Sequence, residues 1–253
     1  MTTTPSSNFN AYSTYYDLLY RDKDYESEVD YIANVLHRFG IKGKELLEFG
    51  SGTGKHGRLF AQRGYQVTGI ELSADMVAKC ETIPGFSCQQ GDICSVKLGR
   101  TFDAVLSLFH VVSYQTTNDS VQAVFARAAD HLEVGGLFVF DVWYSPAVYE
   151  QKPEVRVKRI SDDAVEITRI AEPVLRPNEN RVDVNYTIFA RDPVSGAINT
   201  FTETHPMRHF SIPEINLLAH MNGFEVLVAE EFLKGRSPSE ETWGICFILK
   251  KLQ

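Results

Sequence analysis

The run Glu45-Leu46-Leu47-Glu48-Phe49-Gly50-Ser51-Gly52-Thr53-Gly54 holds the residues most able to do chemistry. An apolar strand ends in an acid, and three glycines follow at alternate positions. Glycine lets a backbone turn tightly and approach a ligand without a Cβ in the way. A carboxylate beside such a turn accepts hydrogen bonds from a ligand but repels a phosphate, so Glu48 decides what the loop can hold. Gly52-Thr53-Gly54-Lys55-His56-Gly57 also fits the dinucleotide fingerprint G-x-G-x-x-G, which seats a pyrophosphate on a helix N-terminus. Coulomb repulsion from Glu48 opposes that reading. A P-loop needs Gly five positions before its Gly-Lys pair and Ser or Thr after it; Phe49 and His56 stand there instead.

Other reactive side chains fall at the ends of apolar segments. Glu71 closes Gln66–Glu71, and Asp92 follows Gly91. His110 follows Phe102–Phe109, at the carboxyl edge where ligands of open α/β sheets bind. A histidine there either orients an acceptor and takes its proton or serves as a hydrogen-bonded structural group. His209 stands in Met207-Arg208-His209-Phe210, where the chain returns from a second β-rich region, and could face the same site. Trp143 and Tyr144 are either a platform for a sugar or base, or packing. Arg236 lies in the late loop Lys234-Gly235-Arg236-Ser237, solvated or set to bind phosphate with its planar fork.

The elements that must position these groups follow from periodicity. Val29, Ile32, Val35, Leu36 and Phe39 share helical spacing from Tyr25 to Phe39, ending at Gly40. Strand and helix then alternate: Lys44–Phe49, helix Lys55–Gln62, Gln66–Glu71, a helix from the N-cap Ser73 through Cys80, Gly85–Gln90, Phe102–Phe109, helix Ser120–Leu132, Leu137–Val142. That alternation implies right-handed crossovers and a parallel sheet. After Trp143 the pattern changes. Arg156–Ile160, Ala164–Ile170, Arg181–Arg191 and Ile198–His209 read as an antiparallel sheet inserted across 154–210, with turns at Asp162-Asp163 and Pro193–Gly196. A helix Pro213–Asn222, stopped by Gly223, and the strands Phe224–Phe232 and Trp243–Lys251 close the chain.

Composition narrows the partners. With 253 residues and 43% hydrophobic content the chain can bury a full core. A net charge of −8 works against a nucleic-acid polymer, though not against a small anion held by local arginines. Cys80, Cys88, Cys94 and Cys246 lack metal-ligand spacing and read as reduced thiols of a cytoplasmic protein. The start, MTTTPSSNFN, reads as disordered and has no apolar core of a signal peptide, and no apolar run approaches the roughly 20 residues that span a bilayer.

The acid-plus-glycines run, Glu71, Asp92-Ile93, Leu108 and two closing strands, in this order, resemble class I S-adenosylmethionine-dependent methyltransferases. The resemblance covers roughly 44–142 and 213–250. It implies a Rossmann-like seven-stranded sheet with a C-terminal antiparallel pair, and S-adenosylmethionine as cofactor. It assigns the glycine backbone to the amino-acid part and ribose, Glu71 to both ribose hydroxyls, and Asp92 to the adenine amino group. Tyr16, Tyr25, Glu48, Gly50, Ser51, Gly52, Gly54, Leu72, Met76, Ile93 and Leu108 complete the cofactor-binding set. The tyrosine-dense stretch Tyr12–Tyr20 with Lys23-Asp24-Tyr25 matches a lid over cofactor and acceptor, where aromatic rings gain from a sulfonium by cation–π attraction; packing of those tyrosines on the core is the alternative.

Within that class the chain is most similar to N-methyltransferases of nucleotide-linked deoxyamino sugars, through Tyr16-Asp17-Leu18, Ser113-Tyr114, Trp143-Tyr144 with Pro146, and Arg236. The resemblance implies methyl transfer to the amine of such a sugar, with His110 and Tyr16 as catalytic residues. It sets Tyr20, Ser113, Tyr114, Trp143, Tyr144, His209 and Arg236 against the substrate. It departs at Phe109-His110 and in the longer loop Ser237–Glu241. The expected division is a lid at 1–24, an α/β unit at 25–150 and 211–253, and an insert at 151–210 for acceptor binding or dimerisation, in a monomer or homodimer. The alternatives are methylation of another small metabolite such as a polyketide or an amino acid, and a non-catalytic cofactor-binding protein. An NAD-dependent oxidoreductase is disfavoured by Glu48 and the closing strand pair.

Overall fold

The computed structural model describes residues 12–252; the stretch 1–10, expected to be disordered, lies outside them. Helices α1 (Tyr12–Leu19) and α2 (Tyr25–Arg38) precede five strands: β1 (Glu45–Phe49), β2 (Gln66–Glu71), β3 (Phe86–Gln90), β4 (Phe102–Ser107) and β5 (Leu132–Tyr144). These five are parallel in the order β3-β2-β1-β4-β5. Helices α3 (Lys55–Gln62), α4 (Ala74–Lys79) and α5 (Asn118–Asp130) provide the crossovers. The order reverses between β1 and β4, so the strand ends splay there and leave a crevice.

β5 is apolar on both faces because both are covered. Phe138, Phe140 and Val142 join Phe125 and Phe224 in one core; Leu137 and Val139 join Ile32, Phe60 and Leu106 in the other. After β5 come α6 (Ser145–Gln151), β6 (Arg156–Ser161), β7 (Glu166–Arg176), β8 (Arg181–Arg191), β9 (Ile198–Phe210), α7 (Ile212–Met221), β10 (Phe224–Glu231) and β11 (Gly244–Lys251). β11 lies antiparallel between β5 and β10, completing seven strands in the order β3-β2-β1-β4-β5-β11-β10. β6 to β9 form an antiparallel meander. Its last strand pairs with β5 at Trp143↔His209 and Tyr144↔Phe210, in parallel, which makes one eleven-stranded sheet.

The fold is the α/β class expected, with local differences that have local causes. β4 stops at Ser107 because Phe109 and His110 take φ of 64° and 63°. α5 starts at Asn118, not Ser120, because Thr117 caps it in a reciprocal pair with Ser120. The strand expected over Leu137–Val142 extends through Leu132–Tyr144. α1 and α6 are additions: α1 packs in a small core with Ile160, Ile167 and Ile188 of the meander.

Candidate active site

One cavity of about 430 Å³ opens at the carboxyl ends of β1, β2 and β4. Its inner half is built by the glycine loop. Gly50 and Gly52 have φ of 71° and 56°, and a Cβ on Gly50 would strike Val111 at 2.4 Å. A Cβ on Gly52 would meet nothing nearer than Met76 Sδ at 3.9 Å, so this backbone faces free space. Glu71 accepts from the N–H of Gly52 at 2.9 Å and of Ser73 at 2.8 Å. Burial raises its carboxyl above the usual range, and the N–H groups of Ser73, Gly52 and Leu72 act against that rise. Each carboxylate oxygen keeps a lone pair for an outside donor, so the group suits a pair of ligand hydroxyls. Asp92 accepts from the N–H of Cys94 and also lines the cavity. Leu72, 63% exposed, stands at the wall with Met76 and Ile93 where a flat base would cover it. This set of acceptors fits a nucleoside with an adenine-like amino group, and the glycine backbone fits its amino-acid extension.

The lid is α1. Asp17 accepts from Thr53 Oγ1 at 2.9 Å and pairs with Lys55 at 3.2 Å, tying the helix to the glycine loop. Lys79 donates to the Ser13 carbonyl at 2.5 Å, and Lys158 of β6 to the Leu19 carbonyl. Arg169 of β7 donates to Tyr12 Oη at 2.7 Å. The helix is held on both sides, and Tyr12, Tyr16, Tyr20 and Tyr25 line the cavity. Burial, then the neighbouring Tyr25, Tyr20, Tyr114 and Tyr12, push the Tyr16 hydroxyl well above its usual range, so it stays protonated.

The outer half takes its walls from β4, β5 and the meander. Leu108, Phe109 and His110 enter from β4. The left-handed backbone at 109 and 110 turns the His110 ring into the cavity; each such residue costs roughly 1–2 kcal/mol. Asp141 of β5 holds that turn: it accepts from the His110 N–H at 3.3 Å, and its Oδ2 lies 2.7 Å from Nδ1. Burial pushes the Asp141 carboxyl up, but the charge and hydrogen bonds of His110, with a smaller part from Lys23, hold it below its ordinary value. Tyr20, Tyr114 and Trp143 line this half, joined by Tyr186, His205, Met207, Arg156 and Trp243. Asp141, and the residues of β6, β8 and β9, were not anticipated. The charged Asp141 inside the apolar run Phe138–Tyr144 was a readable signal; alternate positions on a half-buried strand were not.

Six expected site residues lie off the cavity lining. Glu48 is beneath the loop, its carboxyl buried with Oε1 3.6 Å from His56 Nδ1. Burial above all, then Cys88 and Glu71, raise its pKa to about 8, so it is a poor anion for a ligand. Gly54 instead packs its backbone where a Cβ would hit Cys80 and Phe86 at 2.6 Å. Ser113 is fully buried under its turn. Tyr144 packs on the core, with its N–H donated to Trp243 O at 3.0 Å. His209 is wholly buried, bonded through Nδ1 to Ser145 Oγ at 2.8 Å, and burial with Arg208 lowers its pKa to about 4; it is a neutral joint between β9 and β5. Arg236 bonds Glu231 with its side chain 63% exposed.

Residues 46–136 match the methyltransferase domain family. The chain is 32% identical over 213 residues, 83% of its length and 84% of the relative's, to the dTDP-3-amino-3,4,6-trideoxy-alpha-D-glucopyranose N,N-dimethyltransferase of Streptomyces venezuelae. It is 29% identical over 180 residues, 70% of each chain, to the dTDP-3-amino-3,6-dideoxy-alpha-D-glucopyranose N,N-dimethyltransferase of Streptomyces fradiae. The crystal structure of Streptomyces venezuelae DesVI superposes with a TM-score of 0.79 at 27% identity, covering 95% of this chain and 98% of that one.

Proposed function

The chain belongs to the S-adenosylmethionine-dependent methyltransferases, and from that premise we propose that it methylates the amine of a nucleotide-linked amino sugar. The observation that carries this reading is the continuity of the cavity. One space joins Gly52, Glu71 and Asp92 to Tyr20, Tyr114, His110 and Trp143 without a partition. The two relatives that act on dTDP-linked amino sugars support the acceptor class.

Gly50, Ser51 and Gly52 would hold the amino-acid part of the donor, Glu71 the ribose, and Asp92, Leu72, Met76 and Ile93 the adenine. When bound, S-adenosylmethionine supplies a methyl group made electrophilic by its sulfonium. The chain's own task is then to hold an acceptor nitrogen in line with that carbon and to keep water out. α1 closes the cavity and contributes Tyr12 and Tyr16 to its wall, and Tyr20 follows just beyond the helix. A neutral amine brings its own lone pair, so the site needs to bind the uncharged form. His110, steadied by Asp141, orients the amine. The phosphate role expected of Arg236 passes to Arg156, an exposed arginine of β6 on the cavity lining. No residue from a second chain is needed, so the reading serves a monomer and a homodimer alike. We place the enzyme in the cytoplasm; no helix among the described residues is long and apolar enough to cross a membrane.

Transfer from labelled donor to a panel of dTDP-linked amino sugars tests the reading. Turnover of at least one such sugar is expected. Turnover of a simple phenol or of glycine, with none on the sugars, would overturn it.

A further inference from the structure

We propose that Tyr114 receives the proton released when the amine is methylated, through a relay in which His205 and Glu203 position it; this rests on the amine-acceptor reading above. Tyr114 ends the short turn Val111–Tyr114 after β4, while Glu203 and His205 lie two residues apart on β9 and so share one face. The fold brings them together across 91 positions of chain: His205 Nδ1 lies 2.9 Å from Tyr114 Oη. His205 Nε2 lies 3.0 Å from Glu203 Oε1, and the other oxygen of Glu203 accepts from the Tyr12 N–H at 3.4 Å. His205 is 2% exposed, and Tyr114 lines the cavity.

Donor and acceptor roles follow from the chemistry of the three groups. A carboxylate only accepts, so the hydrogen of the neutral imidazole sits on Nε2 and points at Glu203. Nδ1 is then an acceptor, and the Tyr114 hydroxyl donates to it. The phenol oxygen therefore offers lone pairs to the cavity. It can accept from an N–H of the substrate, and that contact turns the nitrogen lone pair elsewhere. Burial, then Tyr186 and Tyr20, hold the Tyr114 hydroxyl well above its usual range, which excludes a standing phenolate as the base. A relay needs none. As the carbon–nitrogen bond forms and the donor's carbon–sulfur bond breaks, the nitrogen becomes positive and acidic. Its proton moves to the Tyr114 oxygen while the tyrosine's own proton moves to His205 Nδ1. The result is a neutral methylamine, a neutral tyrosine and an imidazolium beside Glu203. Among the described residues, the other titratable or charged groups around His205 include Tyr12 of α1 at 5.1 Å, Tyr186 of β8 at 5.0 Å, and Arg169 of β7, which sits over the Tyr186 ring and bonds Tyr12.

Two measurements on the full chain test the relay. Nitrogen-15 spectra of histidine-labelled protein with S-adenosylhomocysteine bound, assigned by the signal lost in His205→Gln, are expected to show His205 protonated on Nε2 at neutral pH. Glu203→Gln should mix the two tautomers, and Glu203→Asp should restore the first. In kinetics, Tyr114→Phe should bind S-adenosylhomocysteine as wild type does, keep KM for the amine within a few-fold, and lose roughly 100-fold in kcat. The low-pH limb of the kcat profile should shift in Glu203→Gln. An Nδ1-protonated His205 in wild type, or a Tyr114→Phe kcat within twofold of wild type, overturns the relay. A wild type that methylates no amino sugar overturns the acceptor reading instead, and the relay is then judged on the tautomer alone.

Discussion

In the proposed site, Glu71 is the residue on which donor binding turns. Its two oxygens already hold the Gly52 and Ser73 amides, so it both shapes the loop and presents acceptors to the cavity. Glu71→Ala should weaken S-adenosylhomocysteine binding by roughly 10- to 100-fold, about 1.4–3 kcal/mol, the scale of a lost charged hydrogen bond. Calorimetry reads this directly, and unchanged affinity would remove Glu71 from the donor site. Asp141 offers the contrasting case, because it steadies His110 without lining the cavity. Asp141→Asn should leave that affinity intact and lower kcat roughly tenfold through a loosened histidine. Loss of donor affinity in this variant would show that the pair supports the fold rather than the acceptor. At this scale the sequence was legible where the cavity lining takes a special residue type. Glu71, Asp92 and Gly52 stood out because an acid at a strand end or an alternating glycine has few other reasons to be there. Glu48 stood out equally and misled. Only burial reveals that its carboxyl lies under the loop, with Oε2 buried and without a hydrogen-bond partner.

Elements decide which side chains meet, and here legibility depends on whether an element is stable for local reasons. The parallel strands and α2, α3 and α5 announce themselves by periodicity and caps. α1 does not: its eight residues, YSTYYDLL, carry no acid in the first turn and no base in the last. A helix that short is marginal alone, and it persists through Lys55, Lys79, Lys158 and Arg169 reaching it from three directions. Its stability is therefore tertiary. Asp17 is half exposed, so its links to Thr53 and Lys55 contribute only about 0.2–1 kcal/mol to the fold. Asp17→Ala should leave Tm nearly unchanged, raise amide exchange over residues 12–19, and raise the KM for the donor. Unchanged exchange across α1 would mean that Lys79, Lys158 and Arg169 hold the helix without Asp17. The meander itself was readable as antiparallel sheet, but its cavity face was not. Val184, Tyr186, His205 and Met207 alternate as any half-buried strand does, and only the two-residue junction Trp143↔His209 and Tyr144↔Phe210 aims that face at β4.

For the whole molecule the buried ionisable groups set a stability profile that the net charge of −8 would not suggest. Glu48 titrates at about 8 in the fold against 4.5 in the open chain. Between those values the native state holds the extra proton, so Glu48 lowers stability as pH rises and stops doing so above 8. Glu71, raised for the same reason of burial, acts in the same direction. His209 works the other way. Its pKa of about 4 against 6.5 means that the unfolded chain holds the extra proton, so its contribution is present above 6.5 and is lost as pH falls through 4. The Glu48 and His209 terms oppose each other between 4.5 and 6.5, and above 6.5 the Glu48 term continues without the histidine's opposition. Denaturant unfolding of wild type and Glu48→Gln at pH 6.5 and pH 8 isolates that term, since the groups common to both chains cancel in the difference. Wild type should lose on the order of 2 kcal/mol more than Glu48→Gln across this interval, one pKa unit being worth 1.36 kcal/mol. Parallel profiles for the two proteins would mean that Glu48 is already ionised at pH 6.5, its charge held by His56 beside it. Glu48 would then be an anion under the glycine loop, and its reading as a poor anion for a ligand would fall with it.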